Sequence, residues 1–271
     1  MTIFYFLLLS IIINLAFFIP AYLRQTDKLT DFSYALSFIT LLYLSIYFTP
    51  LVPNFALYLL TAMITIWAGR LGIFLFIRIH HFKKDQRFDQ FRHSFTKFLK
   101  FWLLQGFTVW IILIPTLFYL GQPSHQLSLI GFFIWLIGIS LETIADWQKF
   151  RFKKQTTNEL PFINQGLWQF SRHPNYFGEI LCWLGVYLYV FPSLSSTQQL
   201  IAFISPLTIF SLLFFLTGIP LLEKKGLKQW GKLPAYRHYL NNTSLLIPLP
   251  PKDKFIQFYQ QFINRLKKPK V

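Results

Sequence analysis

Seven apolar runs, each close to bilayer-crossing length, are separated by loops that carry lysine and arginine only at every second connection. A spanning helix needs about 20 mostly apolar residues. The runs fall at about 2–23, 32–48, 55–79, 98–120, 127–145, 175–191 and 200–222. Arg24 and Lys28 follow the first run, and Lys83, Lys84, Arg87 and Arg92 follow the third. Lys149, Arg151, Lys153, Lys154 and Arg172 follow the fifth, and Lys224, Lys225, Lys228, Lys232 and Arg237 follow the seventh. The connections after the second, fourth and sixth runs hold neither residue. Basic residues accumulate in cytoplasmic loops, so seven spans admit one orientation, N-terminus outside and C-terminus inside. The fold class expected is therefore all-α, a polytopic integral membrane helical bundle of about seven transmembrane helices.

Composition agrees. Only 13% of the residues are charged, against roughly 25% in soluble domains. The net charge of +16 would point to nucleic acid in a soluble chain. Here topology accounts for much of it, and no nucleic-acid partner is expected. The first run lacks a basic leader and a small-residue cleavage site, and it reads as a signal anchor. One domain is expected over 1–271, with a surface tail at 252–271. In that tail Phe255, Phe258, Tyr259, Phe262 and Ile263 recur at helical spacing among lysines, which suits a helix lying on the membrane or a frayed end. Cys182 is the one cysteine, and no Cys/His cluster has metal spacing. His80 and His81 are adjacent and read as interface residues. No nucleotide-binding glycine motif follows a strand, so a nucleotide would have to bind among helices and loops.

Ionisable groups within spans usually face a cavity or a partner. Arg70 lies about nine residues, or roughly 13 Å, inside the end of the third run, and Arg78 lies nearer that end. Glu142, Asp146, Lys149 and Lys153 share one helical face by their three-and-four spacing. They form either an internal ion-pair ladder or the polar wall of a cavity. Residues 166–179 read G-L-W-Q-F-S-R-H-P-N-Y-F-G-E. His173-Pro174 ends an extended stretch and opens a helix. That sets helix N–H groups beside Ser171, Arg172 and His173, a place suited to an anion or to a simple interfacial cap. Asn175 and Glu179 follow one turn apart. Glu223, Tyr236, Arg237, His238 and Tyr239 form a third cluster, in which the tyrosines suit either a ligand ring or the interface belt.

The run S-R-H-P-N-Y-F-G-E at 171–179, followed by Trp183 and Gly185, resembles the signature of the steroid 5-alpha-reductase C-terminal-domain family, in its bacterial membrane branch. Thr30-Asp31, Asp85-x-Arg87-Phe88, Glu142-x-x-x-Asp146-x-Gln148 and Glu223…Tyr236-x-x-Tyr239…Pro248-x-Pro250-Pro251 extend the likeness over most of the chain. The resemblance implies a bacterial inner membrane and a seven-span protein that holds NADPH in a cavity facing the cytoplasm, mainly within 127–251. Hydride would pass to the β-carbon of an enone in a steroid-like or other lipid substrate that enters from the bilayer. By that likeness Asn175 and Glu179 hold the nicotinamide amide end, and Asp146 with Glu142 forms the adenosine-side wall. Lys153 stands where the family has a phosphate-binding arginine. Arg172, His173, Tyr236, Arg237 and Tyr239 fall in cofactor-contacting segments.

One departure bears on the chemistry. The animal steroid reductases place a glutamate and a tyrosine in their early spans, whereas here the first Glu is Glu142. Tyr43, Tyr47 and Tyr58 remain as candidate proton donors. Two alternatives stay open. One is a methyltransferase similar to isoprenylcysteine carboxyl methyltransferase, using S-adenosylmethionine, whose members also carry an Arg-His-Pro segment and a Glu…Tyr-x-x-Tyr ending. The other is a non-enzymatic lipid-binding protein. The orientation is checked directly: a reporter fused after Val271 is expected in the cytoplasm and one inserted near Ser124 outside, and a reversed pair would remove the cytoplasmic cavity.

Overall fold

The computed structural model describes residues 2–26, 28–50, 52–82, 94–155 and 159–253. Ten α-helices lie among them: α1 (Thr2–Leu23), α2 (Lys28–Phe48), α3 (Phe55–Phe82), α4 (Phe95–Leu120), α5 (Leu129–Lys154), α6 (Pro174–Val190), α7 (Ser196–Ala202), α8 (Ile204–Ser211), α9 (Ile219–Trp230) and α10 (Pro234–Asn242). The described residues contain no named strand, and one isolated bridge pairs Ser171 with Ser244. Asp85, Arg87, Phe88 and the tail aromatics from Phe255 to Ile263 lie outside the described residues, as do the side chains of Asp31, His80 and His81.

Among the described residues, five segments are long and apolar enough to cross a membrane: Ile3–Leu23, Phe55–Arg78, Phe95–Leu120, Leu129–Lys154 and Ser196–Trp230. The expected second span, Phe32–Phe48, is an apolar helix, shorter than these five. The sixth, α6, has 17 residues, about 26 Å at helical rise, because Pro174 opens it and Phe191-Pro192 closes it. The seventh was expected as one helix at 200–222. It is instead interrupted after Ala202 and again by a π-helical turn at Leu212–Leu216.

Contacts divide the chain into two compact units, Met1–Leu136 with Cys182–Ile209, and Ile137–Leu181 with Phe210–Val271. The expected cofactor half is thus shared, with 127–136 and 182–209 belonging to the first unit.

In the first unit a buried polar network ties α1, α2 and α4 together. Gln105 Nε2 donates to Asn14 Oδ1 at 2.9 Å and to Ser33 Oγ at 3.1 Å. Asn14 Nδ2 donates to the Ser10 carbonyl and to Ser37 Oγ, and Ser10 Oγ donates to the Gly106 carbonyl at 2.7 Å. Asn14, Ser10, Ser33 and Ser37 have no exposed surface. Amides inside hydrocarbon have no water to fall back on, so each needs such partners. Beside the network, Trp67, Phe38 and Trp183 meet edge-on or tilted, with ring centroids 4.8–5.2 Å apart. Gly185 allows α6 to reach the Trp135 backbone, where an added Cβ would lie 2.5 Å from its nitrogen. Arg70 is partly buried on α3 and is engaged by neighbouring groups. The outer faces carry exposed Phe4, Leu8, Ile12 and Ile19, an apolar surface suited to lipid.

In the second unit Gly178 brings α6 onto α5, since a Cβ there would come within 2.6 Å of the Glu142 nitrogen. The turn before α6 is fixed by Gly166, whose φ of +64° is the left-handed region and whose Cβ would strike the Gln148 side chain. Gln148 Oε1 accepts from Leu167 N at 2.9 Å, and Trp168 Nε1 donates to the Ala145 carbonyl. After α10 the chain runs back beside 170–172. Arg172 N donates to Ser244 O, Ser171 Oγ to Leu246 O, and Leu249 N to Phe170 O.

Replacing Gln105 by Leu strands Asn14 Oδ1 in an apolar interior, a loss of about 1–3 kcal/mol. The purified protein is expected to unfold at a clearly lower temperature in detergent, and an unchanged midpoint would show that the network contributes nothing to stability.

Candidate functional site

A cavity of about 370 Å³ opens within the second unit, between the end of α5, the 161–173 segment, α9 and α10. Its polar lining carries four cationic side chains, Lys149, Lys153, Arg172 and Lys225, with Glu223 as the carboxylate. Its apolar lining is aromatic: Phe162 packs against Tyr236 at 4.9 Å, Tyr239 at 5.5 Å and Trp230 at 6.0 Å. Trp168 lies under the Lys149 ammonium, 4.4 Å from the ring centroid, a cation–π contact that holds the lysine at the wall.

Each element brings its groups here for a local reason. α5 runs past its expected end at residue 145 to Lys154, which carries Lys149 and Lys153 onto the cavity. α10 starts at Pro234, and Tyr236 and Tyr239, three residues apart, share its inner face. Gly226 of α9 leaves room for the Tyr236 hydroxyl, which an added Cβ would strike. The Tyr239 hydroxyl donates to the Trp168 carbonyl at 2.8 Å. The Tyr236 hydroxyl has no hydrogen-bond partner among the described residues. Burial raises both phenol pKa values above the ordinary range, so both stay protonated at neutral pH.

Glu223 joins the site's polar groups. Arg172 Nη1 donates to its Oε2, and His173 Nε2 lies 2.8 Å from its Oε1. His173 is 4% exposed and stacks on Tyr176 at 5.5 Å. Burial lowers its pKa despite the Glu223 hydrogen bond that raises it, with Lys149 adding to the depression. The ring is therefore neutral at pH 7, with Nε2–H donating to Glu223. Nδ1 then carries the lone pair and has no partner among the described residues. Arg172 pairs with Glu223, and Lys149, Lys153 and Lys225 are the other cations of this lining.

The expected site residues separate into groups. Lys153, Arg172, His173, Tyr236 and Tyr239 line the cavity. Glu142 and Asp146 do not; they are 3% and 9% exposed on the α5 face next to α6. Asn175 Nδ2 donates to Asp146 Oδ1 at 3.1 Å. Glu179 lies one turn further along α6, partly buried. Arg237 turns away, exposed, and its Nε donates to the Gly231 carbonyl at 2.7 Å. Tyr43, Tyr47 and Tyr58 are 48%, 80% and 64% exposed on the first unit, and none lines this cavity. The reading from sequence passed over Phe162, Trp168, Trp230 and Lys225. No motif marks them, although the four-residue spacing of Lys225 and Gln229 puts those two on one helical face.

A histidine held neutral by burial makes folding sensitive to acid. Its folded pKa lies below the unfolded value of about 6.5, so as pH falls through that value the unfolded state takes up the proton first. Stability contributed by neutral His173 is complete above about pH 6.5 and is lost as pH falls below it. His173→Gln keeps a donor for Glu223 and is expected to flatten the fall of melting temperature between pH 7 and 5. An identical slope in parent and variant would assign the acid sensitivity elsewhere.

No curated protein and no solved structure matches this chain. A family model described as a protein of unknown function, DUF1295, matches residues 17–243. That stretch holds Ser33, Ser37 and Gln105 of the polar network, though not Ser10 and Asn14, and every lining residue of the cavity, and the chain belongs to the DUF1295 family.

Proposed function

We propose that this protein is an NADPH-dependent membrane reductase acting on a conjugated carbon–carbon double bond of a steroid-like or other lipid substrate. The observation that carries the reading is the lining of the cavity in the second unit, where three lysines and an arginine face an aromatic wall. Phosphates suit the cations and planar heterocycles suit the rings. The volume of about 370 Å³ is at the small end for ligand pockets, about 300–1,000 Å³, and fits one nucleotide half of the cofactor. The likeness of the 171–179 segment to steroid 5-alpha-reductases supports the same reading.

NADPH bound here would supply a hydride to the β-carbon of the enone. Lys149, Lys153 and Lys225 attract its phosphates, while Tyr236 and Trp230 offer ring faces and the free Tyr236 hydroxyl offers a donor. Glu223 keeps Arg172 and His173 in place, and Nδ1 of His173 is left as an acceptor. Asp146 orients the Asn175 amide at the start of α6, which suits the amide end of the nicotinamide. With the N-terminus outside, the basic segments of the second unit face the cytoplasm, where reduced nucleotide is found. The substrate reaches the protein from the bilayer.

Glu223 also favours a second reading, because a carboxylate in the cavity suits the cationic S-adenosylmethionine of a methyltransferase. Thermal shift of detergent-purified protein separates the two, since a ligand that binds only the native state raises its stability. NADPH alone is expected to raise the melting temperature. Lys153→Gln with Lys225→Gln is expected to weaken NADPH about ten-fold or more, and Asn175→Ala or Glu179→Ala to weaken it while the protein stays folded. A shift with S-adenosylmethionine alone would replace the reductase by the methyltransferase. No shift with either, in protein shown to be folded, would favour a non-enzymatic lipid-binding role.

A further inference from the structure

The apolar segment Ser196–Trp230 has 35 residues, about 52 Å as one straight helix, whereas the hydrocarbon layer is about 30 Å thick. Part of it must therefore lie outside the hydrocarbon. The chain marks where the change occurs. After the π turn at Leu212–Leu216, the backbone N–H groups of Thr217 and Gly218 both donate to the Leu212 carbonyl, which ends the helix. Gly218 and Pro220 then start α9 as a separate helix.

The two faces of α9 differ. Leu222, Glu223, Lys225, Gly226, Gln229 and Trp230 line the cavity. The opposite face presents Leu221, Lys224 and Lys228, all exposed, with Leu227 beside them and Lys232 and Leu233 just beyond. The single carboxylate of α9, Glu223, is turned inward and held by Arg172 and His173. The outward face is thus basic and apolar with no acid on it, and its three lysines make no ion pair among the described residues. The preceding turn exposes Phe215 and Leu216, 61% and 62% accessible, so the exposed apolar surface continues from the candidate span into this face.

We infer that the outward face of α9 docks on the anionic phosphate headgroups of the surrounding bilayer. The leucines enter the boundary between headgroups and acyl chains, and the lysine stems carry their ammonium groups to the phosphates. Charge complementarity favours acidic lipid, and the alternation of leucine with lysine along a helix that leaves a spanning segment favours a lipid surface over an acidic protein. The inference does not rest on the reductase reading. Because the inward face of the same helix is a wall of the cavity, the docked lipid holds that wall in place.

The test uses the full chain reconstituted in nanodiscs of phosphatidylcholine with or without phosphatidylglycerol. Hydrogen exchange of 219–233 is followed, and phosphatidylglycerol retained by the extracted protein is counted by native mass spectrometry. Phosphatidylglycerol is expected to slow exchange in this segment, and high salt to reverse the effect. K224Q/K228Q/K232Q is expected to lose the protection and to retain at least ten-fold less phosphatidylglycerol, since a lysine near an anionic surface contributes about five-fold. K224R/K228R/K232R should behave like the parent. Equal exchange in both lipids would overturn the inference, as would equal retention by the glutamine variant. It would also fall if R24Q/K97Q/K100Q, which removes three exposed cations elsewhere, lowered retention as much. Should the glutamine variant fail to fold, the salt series on the parent and the arginine variant decide the question, and protection insensitive to salt overturns it.

Discussion

A chain that enters hydrocarbon must satisfy every backbone N–H and C=O from within itself, because no water is there to accept or donate. This constraint accounts for the helical character of the described residues and for where they depart from it. The departures gather where helices end or restart. The π turn at Leu212–Leu216 passes its surplus donors back to the Leu212 carbonyl. The only bridge among the described residues, Ser171 with Ser244, belongs to the connection that precedes α6. Once helices carry the backbone, what distinguishes one packing from another is left to side chains.

Two devices supply that distinction. Small residues let helices meet at backbone distance, as Gly185 does against Trp135 in the first unit and Gly178 against Glu142 in the second. Buried amides and hydroxyls supply direction. Gln105 and Asn14 can complete their hydrogen bonds only when α1, α2 and α4 stand in one register. In an apolar medium where one leucine face is as good as another, such pairs select a partner more than they add stability.

The candidate site is built differently, from groups that keep their charge. Glu223 is its organising residue, accepting from Arg172 and His173 at once. By offsetting Arg172 it leaves the cavity's positive character to lysines, whose long stems can follow a ligand. By accepting the Nε2–H hydrogen bond of His173 it leaves Nδ1 as an acceptor. One helix, α9, thereby serves two surfaces, an inward wall of ligand-binding chemistry and an outward face of leucines and lysines.

Apolar length, the alternation of basic loops and the turn chemistry around Pro174 were determined by the sequence alone, because each is a local property of a few adjacent residues. They placed α1, α2, α3 and α4 closely and marked 171–179 as the start of a helix with polar groups about it. The shortness of α6 was legible as well, in the run at 175–191, but the breaks after Ala202 and at Leu212–Leu216 were not, since hydropathy does not register where a helix changes direction. Tertiary structure alone decided which polar residues meet. Lys149 and Lys153 reach the cavity while Glu142 and Asp146, two turns and one turn earlier on the same face, are buried by α6. Tyr236 and Tyr239 face inward while Arg237 between them turns out to the Gly231 carbonyl. Phe162, Trp168 and Trp230 became a wall only by folding, because the contacts that join them link positions up to 68 residues apart, and no spacing rule spans such a distance.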